Sequence, residues 1–229
     1  DSDVLEILTS AVKNKTTNSQ TDQGKAVAMY ECFMDLKHRN QKGITPIKPY
    51  LEMINSIEDI KTLESYLIEV SKFGDSDFFG IYVGVDKKNS NKHAAYLGGG
   101  GLGLPDRDYY LLESFQDIRE KYLLHIQRMF QFLGHTVEDS QEYSNNILAF
   151  ETKIATGKMD KVDRRDPIKT YNPRSISEIK EILPMIDWPH YLTSVGIKGV
   201  DTLIVSDLNY FDHLRAVFEE GNVEDWKLY

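Results

Sequence analysis

Residues 98–110 read Gly98-Gly99-Gly100-Gly101-Leu102-Gly103-Leu104-Pro105-Asp106-Arg107-Asp108-Tyr109-Tyr110. The glycines leave the backbone unusually free, and Pro105 then fixes φ and favours the start of a helix. Gly98, Gly100 and Gly103 also match the G-x-G-x-x-G pattern of dinucleotide-binding proteins. In that fold the third glycine lies within the helix, and an acidic residue about 20 positions later ends a strand. Here Pro105 resets the helix start and Glu120 lies in a helical pattern, so we interpret the stretch as a connector.

The residues on either side of this connector predict a strand pair before it and a long helix after it. Residues 78–85 are aromatic and β-branched, residues 86–91 are typical of a turn, and residues 93–97 predict a second strand. Apolar residues then recur at helical spacing over 109–133, and Gly134 follows as a natural stop. We therefore expect a β-hairpin, the glycine-rich connector and one long helix.

The rest of the chain is predicted to be mostly helical. Thr45 and Pro46 suggest an N-cap followed by proline, and Ser175 with Glu178 forms a capping-box pattern. A third short strand is expected at 203–205. Further helices are expected at 2–14, 25–39, 47–54, 57–73, 137–158, 175–183 and 208–219. The predicted fold class is mainly α: a multi-helix domain with a small β-hairpin.

Composition excludes several classes of function. The formal net charge of the 229 residues is −9, which disfavours a nucleic-acid partner. No apolar run approaches the ~20 residues that span a bilayer. The single cysteine, Cys32, stands among apolar helix positions, so we expect a buried small hydrophobe.

The chain shows no catalytic or metal-binding pattern. It lacks H-E-x-x-H, C-x-x-C, G-x-S-x-G and Walker A motifs, and no two of its histidines have the spacing of paired helix ligands. The segment from Asp86 fails the EF-hand spacing, which favours a hairpin turn. The charge run from Asp160 to Asp166 is typical of solvated ion pairs rather than of acid–base catalysis. We identify no catalytic residue and no metal ligand here.

Four segments, in the same order along the chain, resemble segments of the neprilysin and endothelin-converting-enzyme family of zinc metallopeptidases. The resemblance suggests a bacterial PepO-like endopeptidase. The segment Gly101 to Tyr110 resembles its G-L-G-L-P-x-R-D-Y-Y motif. The other three are Tyr30-Glu31-Cys32-Phe33-Met34-Asp35 with Gly43 and Pro46, Val83-Gly84-Val85-Asp86-Lys87-Lys88-Asn89-Ser90, and Arg164-Arg165-Asp166-Pro167 with Tyr171-Asn172. The residues that carry the signature are Gly101, Leu104, Pro105, Arg107, Asp108, Tyr109, Tyr110, Arg165, Asp166 and Pro167.

The resemblance implies an enzyme with a thermolysin-like catalytic domain and a helical lid domain, which together enclose a chamber for oligopeptides. It implies a zinc ion held by H-E-x-x-H and a later glutamate, all outside residues 1–229. Animal members tie the cysteine that matches Cys32 into a disulfide, for which this chain offers no partner. The chain would then be most of the lid domain without the catalytic zinc domain, and inactive by itself. Its partners would be the catalytic domain of the same chain and an oligopeptide substrate.

Two hypotheses remain open from the residues. The first is a lid-domain portion of an extracellular, periplasmic or cell-envelope zinc endopeptidase. It fits the last residues, where a helix start at Asn222–Asp225 is followed by only a few large apolar residues, as if an element were cut. The alternative is an independent helical peptide- or protein-binding module.

Overall fold

Helices dominate the computed structural model, which describes residues 2–14, 17–74 and 77–229. The predicted mainly α class is therefore confirmed. The chain divides into two compact units, Asp1–Pro49 and Tyr50–Tyr229. No helix among the described residues is long and apolar enough to cross a membrane.

The first unit holds α1 (Ser2–Asn14), α2 (Asp22–Met34) and α3 (Leu36–Lys42), and α4 (Lys48–Asn55) crosses the boundary. The prediction of one continuous helix over residues 25–39 is wrong. The helix breaks at Asp35, whose carboxylate accepts the His38 N–H and caps a new helix. Thr45 is not an N-cap either, because Thr45–Ile47 forms a 3₁₀ turn that begins after Ile44 without a side-chain cap.

The predicted burial of Cys32 is wrong, because this side chain is exposed. The apolar residues of α2 are spread around the helix instead of forming one stripe, so they cannot all face one partner. Only Gly24 and Val27 are buried in this helix, whereas Met29 and Phe33 are each more than 60% exposed.

The second unit places helices around a small sheet. Its helices are α5 (Ile60–Ser71), α6 (Asp108–Leu111), α7 (Gln116–Phe132), α8 (Val137–Gly157), α9 (Ile176–Ile182), α10 (Trp188–Ser194), α11 (Leu208–Glu220) and α12 (Val223–Leu228). Its strands are β1 (Phe79–Asp86), β2 (Asn89–Gly99), β3 (Asn172–Ser175) and β4 (Thr202–Val205). The capping box predicted at Ser175 opens α9, and Gly134, the predicted helix stop, follows α7 with a φ of +98°.

The four strands lie in the order β1-β2-β4-β3. β1 and β2 form the predicted antiparallel hairpin, and β4 is the predicted third strand, which pairs in parallel with β2. β3 pairs antiparallel with β4 at one edge. The sequence did not predict β3, because it has no β-branched or aromatic residue and contains Pro173, which strands tolerate mainly at edges.

The main core lies between the sheet and the helices α5, α8, α9, α10 and α11. Its largest buried side chains are aromatic, and the N–H or hydroxyl groups of Trp188 and Tyr210 have hydrogen-bond partners. The Trp188 indole N–H donates to the Leu183 carbonyl at 3.1 Å, and the Tyr210 hydroxyl donates to the Phe78 carbonyl. Because Phe78 precedes β1, this bond joins α11 to the start of the hairpin.

The prediction of one continuous helix over residues 109–133 is wrong. α6 ends at Leu111, Leu112 is extended (φ −93°, ψ 137°), and a 3₁₀ turn leads into α7. Arg119 on α7 donates to the carbonyls of Tyr109 and Leu112, each at 2.8 Å, and so satisfies acceptors at the break. The apolar spacing continues on both sides of Leu112, so periodicity alone does not show the break.

The last helix, α12, begins with the predicted cap at Asn222, which forms a capping box with Asp225. Trp226 and Tyr229 pack partly buried against the main core. The Tyr229 ring centroid lies 4.9 Å from that of Phe78 and 5.2 Å from that of Phe150. The hydroxyl of Tyr229 donates to the Gly101 carbonyl at 2.8 Å, so this helix also contacts the glycine-rich connector.

Candidate functional site

The signature segment 101–110 is fastened to α8 by the buried carboxylate of Glu151. The Oε1 atom accepts the Gly103 N–H at 2.9 Å and the Tyr122 hydroxyl at 3.1 Å. The Oε2 atom accepts the Tyr110 hydroxyl at 3.0 Å, and that hydroxyl accepts the Leu104 N–H at 2.8 Å. One carboxylate therefore joins the connector, α6, α7 and α8.

The helical period of α8 explains why Glu151 is buried. Ile147, Ile154 and Ala155 lie four residues before it, three after it and four after it, so all share its face. Burial raises the pKa of the Glu151 carboxyl, and the three hydrogen bonds to its oxygens oppose that rise. Burial and the nearby Glu151 charge also raise the pKa values of Tyr110 and Tyr122, so both remain hydroxyl donors.

Leu104 and Tyr110 form a second, smaller apolar cluster with Ala155. The bend at Pro105 returns the chain so that these two signature residues contact the same part of α8. Pro105 and Gly101 themselves are exposed. The signature thus supplies buried contacts at Leu104 and Tyr110 and a turn between them.

The charged residues of the signature make their contacts in the same region, where the 101–110 segment packs against α8. Asp106 is only 4% exposed and accepts an ion pair from Lys161 at 2.7 Å. Burial opposes its ionisation, but the Lys161 ammonium and the Asp108 N–H hold the pKa of Asp106 below its ordinary value. The ion pair at this helix start therefore joins the buried Asp106 carboxylate to the half-exposed Lys161 ammonium.

Arg107 and Tyr109 bind backbone and ring partners. Arg107 Nη1 donates to the Lys158 carbonyl at 2.7 Å, at the C-terminal end of α8. The Tyr109 ring stacks on Phe115 with centroids 4.2 Å apart. The first of these contacts satisfies a carbonyl that the helix leaves without an intrahelical partner.

Replacing Arg107 by alanine is expected to lower the free energy of unfolding by about 1–2 kcal/mol, because a hydrogen bond from a charged donor is lost. Arg107→Lys should restore part of that loss, since an ammonium can donate but lacks the planar fork. Chemical denaturation of both variants measures the effect. Equal stability of Arg107→Ala and the unaltered chain would contradict this role.

Lys158 holds the glycine-rich connector from the other side. Its ammonium donates to the Gly100 carbonyl and lies 4.6 Å from the centroid of the Tyr210 ring. Burial lowers the pKa of Lys158 to about 8; Arg164 adds to this shift and Asp207 opposes it. The sequence reading missed Lys158, Asp106, Tyr122 and Glu151. For Glu151 a signal existed, because a carboxylate on the apolar face of a predicted helix must be satisfied when buried.

The second signature group, Arg165-Asp166-Pro167, lies in a separate turn. Arg165 and Pro167 are exposed, whereas Asp166 Oδ1 accepts the Ile168 N–H at 2.8 Å. This turn does not meet the Glu151 cluster directly. Lys161 links the charged run to the 101–110 segment through its ion pair with Asp106 and its position 5.8 Å from the centroid of the Tyr109 ring.

The described residues do not fit a catalytic zinc centre. Among residues 2–14, 17–74 and 77–229, no group of three His, Cys, Asp or Glu side chains could hold a metal ion. The Glu151 carboxylate already accepts three hydrogen bonds from the protein. The contacts of Glu151 therefore join the connector, α6, α7 and α8 at one structural corner.

Comparison with known proteins decides the family. A family model described as Peptidase family M13, for its N-terminal domain, matches residues 1–229. The chain belongs to peptidase family M13. The resemblance inferred from the four segments is thereby confirmed.

Relatives of this M13 chain include two kinds of curated metallopeptidase. It is 27% identical over 228 residues to endothelin-converting enzyme 1 of Bos taurus, covering 92% of this chain and 30% of the relative. It is 24% identical over 197 residues to neprilysin-3 of Drosophila melanogaster, covering 79% of this chain and 25% of the relative. The chain thus spans about 30% or less of the length of these relatives.

Solved structures match the fold of this M13 chain almost completely. The zinc metalloprotease Zmp1 of Mycobacterium tuberculosis, in complex with an inhibitor, matches with a TM-score of 0.85 and 28% identity. That match covers 99% of this chain and 35% of Zmp1. PepO from Lactobacillus rhamnosis matches with a TM-score of 0.75 at 16% identity, over 99% of this chain and 36% of that protein, which shows the fold alone.

Proposed function

We propose that residues 1–229 are most of the non-catalytic helical lid domain of a zinc metalloendopeptidase that hydrolyses oligopeptides. The observation that carries the proposal is the match of 99% of this chain to 35% of a zinc metalloprotease with a TM-score of 0.85. The zinc ligands and the general base would lie in a catalytic domain of the same longer chain. The enzyme would act outside the cytoplasm, in an extracellular, periplasmic or cell-envelope location.

The physical role proposed for this domain is the wall of the substrate chamber. A wall that excludes folded proteins must keep its shape, and rigid networks of buried polar groups specify one arrangement of packed elements. The Glu151 cluster supports this role, because it joins three helices and the connector around one carboxylate. Glu151, Asp106 and Arg107 would act on stability and shape, not on the scissile bond.

The test uses a longer protein that contains residues 1–229. We expect stoichiometric zinc, loss of hydrolysis on chelation, and cleavage of a short peptide but not of the same sequence in a loop of a folded protein. An open-cleft endopeptidase that cleaves both substrates serves as the control. Hydrolysis without bound metal would contradict the enzyme class. Equal cleavage of the two substrates would contradict the chamber-wall role.

A further inference from the structure

The outer edge of β1 carries unpaired backbone groups at defined positions. β1 lies at one end of the sheet and pairs only with β2. The Gly100 N–H donates to the Phe78 carbonyl at 2.8 Å, and Phe79 lies opposite Gly99. In an antiparallel pair, residues that bond across the ladder alternate with residues whose groups point away. Hence Gly80, Tyr82 and Gly84 bond to β2, whereas Ile81 and Val83 point outward.

An independent contact confirms this alternation. Leu97, opposite Ile81, uses its carbonyl to accept the Ser206 N–H at 3.0 Å, on the side away from β1. By this register the N–H and C=O of Ile81 and Val83 point away from β2, and among the described residues they bond to no side chain and to no backbone group outside the sheet. The Val85 carbonyl, in contrast, accepts the Tyr96 hydroxyl at 3.0 Å. The free groups of Ile81 and Val83 lie about 6.8 Å apart along the strand.

This edge has little of the protection that natural edge strands carry. Tyr82 and Val83 are 54% and 61% exposed, and the strand has no proline and no lysine. Its bulge lies at the far end, between Val85 and Asp86. Residues 79–84 are thus a straight, apolar template for one more strand.

A cavity of about 370 Å³ lies beside the first half of this edge. Gly80 and Gly98, which are register partners, leave part of its wall as bare backbone. Tyr191, Val195 and Ile197 line the opposite side, and the described lining residues carry no formal charge. The volume is in the range of about 300–1,000 Å³ that ligand pockets occupy, and an uncharged apolar side chain suits its lining.

The other end of the edge is basic. Residues 86–92 at the hairpin tip include three lysines, Lys87, Lys88 and Lys92, and one carboxylate, Asp86. The Lys87 ammonium donates to Thr170 Oγ1 at 3.2 Å and the Lys88 ammonium lies 4.5 Å from the centroid of the Tyr171 ring, so both keep their positive charge beside neutral partners. An acidic residue in an added strand would be attracted to this end. The site therefore combines backbone bonds, an apolar pocket and a basic end.

We propose that the outer edge of β1 binds an extended peptide as an additional antiparallel strand. An apolar side chain of the peptide enters the Gly80–Gly98 pocket, and an acidic residue near its N-terminus faces the lysine tip. Main-chain bonds supply the affinity and alternate side chains supply the specificity. The physiological peptide, as a substrate held on the lid, rests on the proposed function, but the binding edge is a property of this chain alone.

The test uses the 229-residue chain and the probe acetyl-Glu-Thr-Leu-Thr-Leu-Thr-amide, with amide hydrogen exchange read by NMR. We expect saturating probe to slow exchange at Ile81 and Val83 by about tenfold or more, with little change at Tyr82, whose N–H already bonds to β2. No protection at Ile81 and Val83, or protection confined to another surface, would overturn the proposal. Protection of both amides without probe, together with a dimer in sedimentation, would show that a second copy occupies the edge and would also overturn it.

Two N-methylated probes provide matched controls that need no protein variant. One carries methyl groups on its leucine nitrogens and the other on its threonine nitrogens, so only one of them blocks the N–H groups that face β1. We expect one probe to lose at least about tenfold in affinity and the other to stay within about threefold. Equal losses would overturn strand addition. The probe experiment measures only binding to this chain, so a negative result would not affect the metallopeptidase proposal. Conversely, hydrolysis without zinc by the longer protein would contradict the metallopeptidase proposal but not the peptide-binding edge of β1.

Discussion

Replacing Glu151 by alanine is expected to lower the free energy of unfolding by about 3–5 kcal/mol, the largest loss among the signature contacts. Three donors would lose their acceptor at once: the buried Tyr110 hydroxyl and the part-buried Gly103 N–H and Tyr122 hydroxyl. Each buried donor left unsatisfied costs about 1–3 kcal/mol. Urea denaturation followed by circular dichroism measures the change.

Glu151→Gln is the matched control for shape. Glutamine keeps one carbonyl acceptor and the side-chain length. The decrease in the free energy of unfolding for Glu151→Gln should therefore be less than half of that for Glu151→Ala. Comparable losses in the two variants would show that side-chain volume, and not the acceptor set, stabilises this corner.

The same pair tests the titration of Glu151. Burial raises its folded-state pKa above the ordinary value of 4.5, so the folded state holds the proton more tightly than the unfolded chain. The stability that it contributes is complete below 4.5 and is lost as the pH rises through the folded pKa. We therefore expect the difference in unfolding free energy between the chain and Glu151→Gln to fall as the pH rises above 4.5 and through the raised folded-state pKa. A difference that grows over this range would contradict the assignment.

Replacing Gly100 by alanine is the second substitution with a large expected effect. A Cβ atom at this position would lie 1.8 Å from the Asp77 carbonyl oxygen and 2.6 Å from the Phe78 carbonyl carbon, both backbone atoms. The start of the hairpin would have to move, and we expect a loss of about 3 kcal/mol or more. The thermal midpoint and the denaturation midpoint should both fall.

Gly101→Ala is the control within the same run. A Cβ atom there meets nothing within 4 Å, and its φ is not in the left-handed region. We expect a change of less than about 0.5 kcal/mol, or a slight gain from reduced freedom of the unfolded chain. If both glycines tolerate alanine equally, the close approach of the connector to residues 77 and 78 is not a constraint on the fold.

The elements that could be predicted from sequence are those whose signal is local. The hairpin, β4, α8, α9 and α11 follow from apolar spacing, caps and β-branched residues. The breaks at Asp35 and Leu112 could not be predicted, because distant partners decide them: Arg119 donates back to Tyr109 and Leu112 across seven to ten residues. Tertiary contacts there override a continuous helical pattern.

The site was predicted in part. The signature identified the segment that forms the corner, but motif letters do not show which residue carries the charge contacts. Asp106, at the variable position of the motif, makes the ion pair with Lys161. Glu151 on α8 and Lys158 at its C-terminal end lie more than 40 residues away in sequence. Side chains brought together across such separations need the fold to be known. Close contacts explain Gly99, Gly100 and Gly103 within the glycine run, whereas a Cβ atom at Gly101 would meet nothing within 4 Å.

The central proposal is that this M13 chain supplies a chamber wall and no catalytic group. The most direct measurement is hydrolysis of a quenched fluorescent oligopeptide by the purified 229-residue chain with added Zn²⁺, together with its metal content. The account predicts no hydrolysis above buffer and no stoichiometric zinc. Zinc-dependent hydrolysis that a chelator abolishes, in a preparation of this chain alone, would contradict it.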